Sequence, residues 1–189
     1  GIQEGNGVPA DGDLWVSYSV NKEDMWISRI PVPVEINASA HADDDFSKNK
    51  SIAELTDWNI YSPVWAPVSL EDQWLKLQDK DPFDYAKVER KIPASKELKV
   101  SFDLKAGQNN KGTLQIEFLD ENGIACSRME LTDDGIFRLK GGSRFANMMK
   151  YEAGKVYHVE AVLSTVDRNI QVYVDGKRVG LRMFYAPVA

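Results

Sequence analysis

Hydrophobic and polar residues alternate along most of this chain with the period of two that is typical of β-strands. The alternation is clear in LWVSYSV (14–20), LKVSFDL (98–104), TLQIEFLD (113–120) and VYHVEAVLS (156–164). Turn residues separate such segments, among them Glu-Asn-Gly at 121–123, Asp-Asp-Gly at 133–135 and Asp-Gly at 175–176. Many short strands at spacings of roughly 8–12 residues predict an all-β fold, a two-sheet antiparallel β-sandwich. The only segment that favours a helix is a short one at 49–55.

One face of the later strands is uniformly apolar. Because side chains alternate across a strand, every second residue of these segments faces the same way. We therefore expect a core between the two sheets. The residues predicted to be buried there are Phe102, Ile116, Phe118, Val159, Val172 and Val174.

The opposite face of the same strands is polar, with carboxylates, an arginine, an amide, an imidazole and a tyrosine. Such groups match the dense hydroxyl groups of a carbohydrate. The candidate ligand-binding residues are Gln115, Glu117, Arg128, Glu130, His158 and Tyr173, with Arg144 in the loop 141–144 as a further candidate. The same pattern also describes the ordinary solvated face of a sandwich, which is the more common situation. Both interpretations stay open.

The chain divides by composition into three parts. Residues 1–36 form a predicted β-hairpin followed by prolines at 31 and 33, which keep that segment out of a central ladder. Residues 37–55 are polar, small and acidic, and are predicted to be a linker or crossover. Residues 56–189 contain the predicted sandwich. The aspartates at 43–45 are either a solvated acidic turn, which we favour, or a calcium site, for which the spacing of oxygen ligands is poor.

Charge and cysteine content restrict the classes of function. A net charge of -6 argues against a nucleic-acid or anionic-membrane surface. No run of about 18 apolar residues is present, so we expect no membrane span. One cysteine, Cys126, and two histidines provide neither an internal disulfide nor a thiolate or imidazole metal cluster. We expect Cys126 to be a small buried residue, and we predict no cofactor and no metal.

Three tryptophans lie close together at positions 58, 65 and 74. Tryptophan can form a stacking surface for sugars, but near the Ser-Pro and Ala-Pro breaks it more often closes one end of a sandwich. We predict this closing role for Trp58 and Trp65, and a place in a core strand for Trp74.

The segment at 156–180 resembles the hairpin of laminin-G-like and concanavalin A-like sandwiches. The matching residues are Ile170, Val172, Tyr173, Val174, Asp175 and Gly176. The Asp-Gly pair supplies the positive φ angles of a tight hairpin turn. The resemblance covers residues 56–189 and implies a concanavalin A-like jelly roll, but no particular chemistry.

The segment at 13–34 is similar to the end of the last blade in sialidase-like β-propellers of polysaccharide-degrading enzymes. The similarity rests on Tyr18-Ser19, on Asn-Lys-Glu-Asp at 21–24 and on Trp-Ile-Ser at 26–28. The upstream blades and their Asp-box motifs do not occur in this sequence, so we expect a trimmed chain without the propeller's active site. We also expect Trp15 and Trp26 to pack against the sandwich or against another chain.

These resemblances imply an accessory module of a secreted or periplasmic polysaccharide-degrading enzyme, with carbohydrate and an upstream β-propeller as partners. We assign no catalytic residue, since the chain has no paired-glutamate motif of a glucanase and no nucleophile elbow. Two alternatives stay open. One is a stand-alone glycoside hydrolase that uses carboxylates from neighbouring strands, and the other is a purely structural module that supports a propeller.

Overall fold

Antiparallel strands account for most of the ordered structure, as the alternating pattern predicts. The computed structural model describes residues 2–3, 13–20, 24–31, 42–80, 82–120 and 122–184. The chain divides into two units, Gly1–Pro93 and Ala94–Ala189. The all-β, antiparallel fold class is confirmed.

The described residues of the first unit form seven strands. They are β1 (Ile2–Gln3), β2 (Asp13–Val20), β3 (Asp24–Pro31), β4 (Trp58–Tyr61), β5 (Val68–Glu71), β6 (Trp74–Leu77) and β7 (Lys87–Arg90). Strands β1, β2 and β3 form one sheet in that order, β4 pairs with β7, and β5 pairs with β6. The β2–β3 register joins Asp13 to Pro31 and Val20 to Asp24, which confirms the predicted opening hairpin. The side chains of Trp15 and Trp26 lie outside the described part of the structure, so their packing stays a prediction.

Helical structure within the described ranges is limited to two three-residue 3-10 turns, Phe46–Lys48 and Ile52–Glu54. The second turn occupies only part of the segment 49–55 for which a short helix was the prediction. No helix in this part of the chain is long and apolar enough to cross a membrane.

Two of the three consecutive aspartates have structural roles. Asp45 accepts a hydrogen bond from the Ser47 backbone nitrogen at 3.0 Å and so caps the first 3-10 turn. Asp44 accepts a hydrogen bond from Arg90 Nε at 3.2 Å. Among the residues that the structure describes, no group of three or more histidine, cysteine, aspartate or glutamate side chains is arranged to hold a metal ion.

The second unit is a sandwich of two four-stranded antiparallel sheets. Its strands are β8 (Glu97–Lys105), β9 (Leu114–Leu119), β10 (Ala125–Leu131), β11 (Ile136–Gly141), β12 (Arg144–Lys150), β13 (Val156–Ser164), β14 (Asn169–Val174) and β15 (Lys177–Met183). One sheet has the order β12-β11-β10-β9, and the other has the order β15-β14-β13-β8. The chain therefore changes sheets twice, between β8 and β9 and between β12 and β13.

The β14–β15 hairpin turns through Asp175 and Gly176, with φ angles of 49° and 77°. Positive φ at both central residues is the requirement of a type I′ turn, and an Asp-Gly pair is among the few sequences that meet it. The predicted turn is thus confirmed. The finer assignment to a concanavalin A-like jelly roll, and the domain boundaries near residues 36 and 55, stay predictions.

A single apolar core joins the two sheets of the second unit. Phe118, Val159, Val172 and Val174 are buried in it, as the alternation predicts. Phe102 and Ile116 pack against this core but are only half-buried. The reason is position, since β8 and β9 are edge strands of their sheets and each has a neighbour on one side only.

Three tryptophans of the first unit, at positions 58, 65 and 74, differ in how far they are exposed to solvent. Trp58 is half-buried, and its ring centroid lies 5.9 Å from that of Phe46. Trp65 is 65% exposed, so the prediction that it closes one end of the sandwich is wrong. It lies two residues after Pro63, in the irregular segment between β4 and β5. Trp74 is half-buried and begins β6, in line with a strand position.

Candidate functional site

Four of the predicted ligand-binding residues lie together on the outer face of the β9–β12 sheet. Arg128 pairs in register with Glu117, and Glu130 pairs with Gln115. Since Met129, between the two residues on β10, is fully buried in the core, Arg128 and Glu130 face outward. The structure therefore brings Gln115, Glu117, Arg128 and Glu130 into two adjacent cross-strand rows.

The other two predicted residues of this group lie elsewhere. His158 is on β13 and Tyr173 is on β14, both in the second sheet. Because the core lies between the sheets, the outer faces of the two sheets point in opposite directions. The expectation of one polar face with all six residues is therefore wrong. Alternation distinguishes inward from outward positions but does not identify the sheet to which a strand belongs.

Glu130 lies between Gln115 and Arg138 in one of these rows and is only 2% exposed. Its Oε1 accepts a hydrogen bond from Gln115 Nε2 at 3.1 Å. Its Oε2 accepts from Arg138 Nε at 2.8 Å, and Arg138 Nη2 lies 2.6 Å from the same oxygen. A buried carboxylate needs such partners because its charge is poorly solvated. The contacts hold both Gln115 and Arg138 in fixed positions.

In the other row, Glu117 fixes the position of Arg128. Arg128 Nε donates to Glu117 Oε1 at 2.6 Å, and Arg128 Nη2 also contacts this oxygen. Arg128 Nη1 lies 3.6 Å from Glu130 Oε1, beyond hydrogen-bond distance. Both members of the Arg128–Glu117 pair are partly exposed, at 30% and 29% of the side chain. The guanidinium therefore keeps donor capacity toward solvent while its orientation is fixed.

Three further residues of this face were not among the sequence-predicted candidates. In the register of the sheet, Arg138 lies beside Glu130, Lys140 beside Arg128, and Phe145 beside Lys140. The Phe145 ring centroid lies 4.3 Å from Arg138 Cζ and 5.4 Å from Lys140 Nζ, both within cation–π distance. The alternation of IFRLK already places Arg138 and Lys140 on one face, so this signal was present in the sequence.

We call one group of outward residues of the β9–β12 sheet the polar face. It consists of Gln115, Glu117, Arg128, Glu130, Arg138, Lys140 and Phe145.

A small cleft of about 80 Å³ opens beside the polar face. It is lined by Ala125, Cys126, Ser127, Arg128, Lys140 and Gly142. The cleft lies at a register shift in β10, between Ala125 and Ser127, where a β-bulge disturbs the ladder. Pockets for drug-sized ligands enclose about 300–1,000 Å³, so this cleft fits one substituent of a larger molecule rather than a whole sugar ring.

Lys140 gives the cleft a positive charge. Within the described ranges, no aspartate or glutamate oxygen lies within 4 Å of its ammonium group. Arg128 pairs with Lys140 from the neighbouring strand, and its charge is balanced by Glu117. An anionic substituent in the cleft would therefore find one uncompensated cation and one oriented guanidinium.

Cys126, in the wall of the cleft, is buried and is not activated. Burial raises the pKa of its thiol to about 11, so the group is protonated near neutral pH. The prediction of a small buried cysteine is confirmed.

Arg144, the remaining candidate, is exposed at the start of β12. It pairs with Gly141, whereas the next residue, Phe145, pairs with Lys140. Successive residues of a strand face opposite ways, so Arg144 is not part of the polar face. The structure places it at the tip of the β11–β12 hairpin instead.

Polar groups on the outer face of the second sheet satisfy one another. His158 Nδ1 lies 2.8 Å from Asp103 Oδ1, and Tyr173 Oη donates to Gln171 Oε1 at 3.0 Å. Lys99 Nζ lies 2.7 Å from Glu160 Oε2. These are cross-strand or same-strand contacts of an ordinary solvated face, each contributing roughly 0.2–1 kcal/mol.

The first unit contains an exposed aromatic cluster that the sequence analysis did not single out. The side chains of Tyr61, Phe83 and Tyr85 are 48%, 95% and 59% exposed. The ring centroids of Tyr61 and Tyr85 lie 5.6 Å apart, and their planes are inclined by 52°. Tyr61 Oη donates to Asp84, with its two carboxylate oxygens at 3.0 and 3.1 Å. An exposed carboxylate thus lies next to exposed aromatic rings.

Comparison with known proteins identifies relatives of the chain. The family model described as "Sialidase-like, CBM domain", in which CBM denotes a carbohydrate-binding module, matches residues 58–189. A solved structure described as "Sialidase" is 91% identical, with a TM-score of 0.84. The similarity covers 100% of this chain and 18% of the sialidase chain. A search of curated proteins found no match.

Proposed function

The chain belongs to the family of sialidase-like CBM domains, and on that premise we propose that it binds carbohydrate on the polar face as a module of a larger sialidase. The whole chain spans 18% of the length of the similar sialidase chain, and we propose that the activity of such an enzyme resides in other parts of the polypeptide.

The observation that supports binding at this face is the fixed orientation of its arginines. Glu117 holds Arg128, and the buried Glu130 holds Arg138, before any ligand arrives. Donors that are already oriented lose less conformational entropy on binding than mobile side chains do. A guanidinium presents a planar set of donors that matches a carboxylate or a pair of neighbouring hydroxyl groups.

The charge of the polar face favours an acidic sugar. Three cations, Arg128, Arg138 and Lys140, lie together with two carboxylates, in a chain whose net charge is -6. The cleft between Lys140 and Arg128 has room for one substituent, and a sugar carboxylate has the size and charge to occupy it. The description of the solved relative as a sialidase agrees with an acidic glycan.

We also propose that the parent protein is secreted or periplasmic and that the N-terminal hairpin packs on a propeller of the same polypeptide. Two observations support the second part. The β2–β3 pairing exists, and Met25 and Ile27 on β3 are 76% and 70% exposed. Two large apolar side chains on one face of a hairpin are suited to contact with another part of a longer chain.

The alternative of a stand-alone hydrolase has less support. A glycosidase of this kind needs two accessible carboxyl groups that flank the scissile bond. Glu130 is almost fully buried, and both Glu117 and Glu130 are engaged by arginines. These contacts suit a structural and orienting role for the two glutamates.

Isothermal titration calorimetry of the whole chain tests the proposal. Sialyllactose and oligogalacturonides serve as acidic ligands, and lactose is the matched neutral ligand. We expect an acidic ligand to bind, and we expect Lys140→Ala and Arg128→Ala to weaken that binding by about tenfold or more. Lys99→Ala, on the other sheet, is the matched control and should bind as the wild type does.

Two results would contradict the proposal. Binding that is unchanged in both Lys140→Ala and Arg128→Ala would move the site away from the polar face. No binding of any glycan across a broad array would favour a purely structural module. Thermal unfolding of each variant, measured in parallel, ensures that a lost fold is not mistaken for a lost site.

A further inference from the structure

We propose that the aromatic cluster of the first unit, formed by Tyr61, Phe83 and Tyr85 around Asp84, is a second carbohydrate-contacting site and that it takes an uncharged sugar. The inference rests on the proposed function in one respect, namely that the module binds glycans. It concerns different residues, in a different unit, from those of the polar face.

The cluster is built by the pairing of β4 with β7. Tyr61 ends β4 and pairs with Lys87 at the start of β7, and Tyr85 lies two residues before that strand. This brings the two tyrosine rings to 5.6 Å, while both remain about half-exposed, at 48% and 59%. Phe83, at 95% exposure, precedes Asp84 in the chain and adds a further exposed aromatic side chain to this segment. Adjacent exposed aromatic rings are typical of surfaces that bind a ligand or a partner.

Asp84 gives the cluster a fixed hydrogen-bond acceptor. Its carboxylate accepts from Tyr61 Oη and from the Tyr85 backbone nitrogen, the latter at 2.9 Å. The hydrogen bond to Asp84 raises the pKa of Tyr61, so the phenol keeps its proton and remains the donor. Among the described residues, no lysine or arginine nitrogen lies within 4 Å of Asp84. The remaining lone pairs of the carboxylate are therefore open to a ligand.

This combination matches a neutral sugar. The C–H faces of a pyranose ring can lie against an aromatic ring, while two neighbouring hydroxyl groups donate to one carboxylate. An acidic sugar would be repelled by Asp84. A protein partner fits less well, because aspartate is depleted in the centres of protein interfaces, which also bury about 800 Å² on each side.

The test is calorimetry of the whole chain with hexasaccharides of β-1,4-glucan, mannan and galactan. We expect at least one of them to bind. Asp84→Asn and Phe83→Ala should each weaken that binding by about fivefold to tenfold, and Tyr85→Ala by more. Lys99→Ala, in the other unit and outside the polar face, should leave it unchanged. Phe83 is so exposed that its removal leaves the fold intact, which separates loss of binding from loss of structure.

The remaining outcomes overturn the inference in distinguishable ways. Neutral-sugar binding that survives all three cluster variants but is lost in Arg128→Ala would refute the second site and leave the polar face as the only one. No binding of neutral sugars, with acidic ligands still bound, would refute the second site alone. Self-association in sedimentation experiments that Tyr85→Ala abolishes would identify the cluster as a protein interface instead.

Discussion

Glu130 Oε2 accepts a hydrogen bond from Arg138 Nε at 2.8 Å and lies 2.6 Å from Arg138 Nη2. The glutamate side chain is almost fully buried, whereas the arginine side chain is 37% exposed. The pair therefore spans the boundary between the interior of the sheet and its surface. The buried member sets the position of the exposed one, and the Phe145 ring supports the guanidinium from the side.

Replacement of Glu130 tests this relationship. Glu130→Ala removes the acceptor for Gln115 and Arg138, and we expect a loss of about 1–3 kcal/mol in the free energy of unfolding. The loss is limited because Arg138 can turn toward water. Urea unfolding measures it, with Glu117→Ala as the matched control, since Glu117 is exposed and should cost about 1 kcal/mol or less. Equal effects of the two variants would show that burial of Glu130 contributes nothing.

The stability of the sandwich depends on large apolar side chains that pack between its two sheets. Phe118→Ala should cost about 3–5 kcal/mol in the free energy of unfolding, because Phe118 is 9% exposed and its removal leaves a cavity. Val166→Ala is the control, since Val166 is 70% exposed and should stay within about 0.5 kcal/mol of the wild type. A cost below about 1 kcal/mol at Phe118 would mean that the core collapses around the gap or that the residue is less buried in solution.

Two glycines allow the sheets to approach closely along one edge. A Cβ at Gly141 would collide with the Met183 carbonyl oxygen and lie 2.5 Å from Arg182 Cβ, neither of which can move easily. A Cβ at Gly180 would lie 2.6 Å from Met148 Sδ, the flexible end of a side chain. We therefore expect Gly141→Ala to cost more than Gly180→Ala, within a range of about 1–3 kcal/mol.

Thermal and urea unfolding provide the comparison for these glycine variants. Gly107→Ala is the control, because an added Cβ there meets no atom within 4 Å. Its stability should equal or slightly exceed that of the wild type, since alanine reduces the freedom of the unfolded chain. The reverse order, with Gly180→Ala the more damaging, would contradict the close approach of Gly141 to β15.

The sequence was sufficient to predict which residues of each strand face the core. Val159, Val172 and Val174 are buried because an alternating strand can hide only one face. The half-burial of Phe102 and Ile116 was not predictable, since alternation contains no information about which strands lie at a sheet edge. The same limit explains why His158 was grouped with Glu117, although their strands belong to different sheets.

Contacts between residues far apart in the sequence could not be predicted from local sequence patterns either. The exposure of Trp65 depends on what packs above its loop, and proline breaks do not determine that. The Tyr61–Tyr85 contact joins residues 24 positions apart through the pairing of β4 with β7. By contrast, the positions of Arg138 and Lys140 beside Glu130 and Arg128 follow from the turn residues and the alternation of the sequence.

The stability of the fold at alkaline pH depends on the buried thiol of Cys126. Burial raises the pKa of the Cys126 thiol from 9.0 to about 11, so the unfolded chain releases this proton at a lower pH than the folded protein does. The contribution of the buried thiol to stability is complete below about pH 9 and is lost as the pH rises toward 11, by up to about 1.4 kcal/mol per pH unit. Cys126→Ala lacks this titration, whereas the tyrosines titrate in both proteins and cancel in the difference. Urea unfolding at pH values from about 8 to 10.5 should therefore show the wild type losing stability relative to Cys126→Ala. Parallel pH profiles of the two proteins would mean that the thiol titrates in the folded state as it does in the unfolded chain.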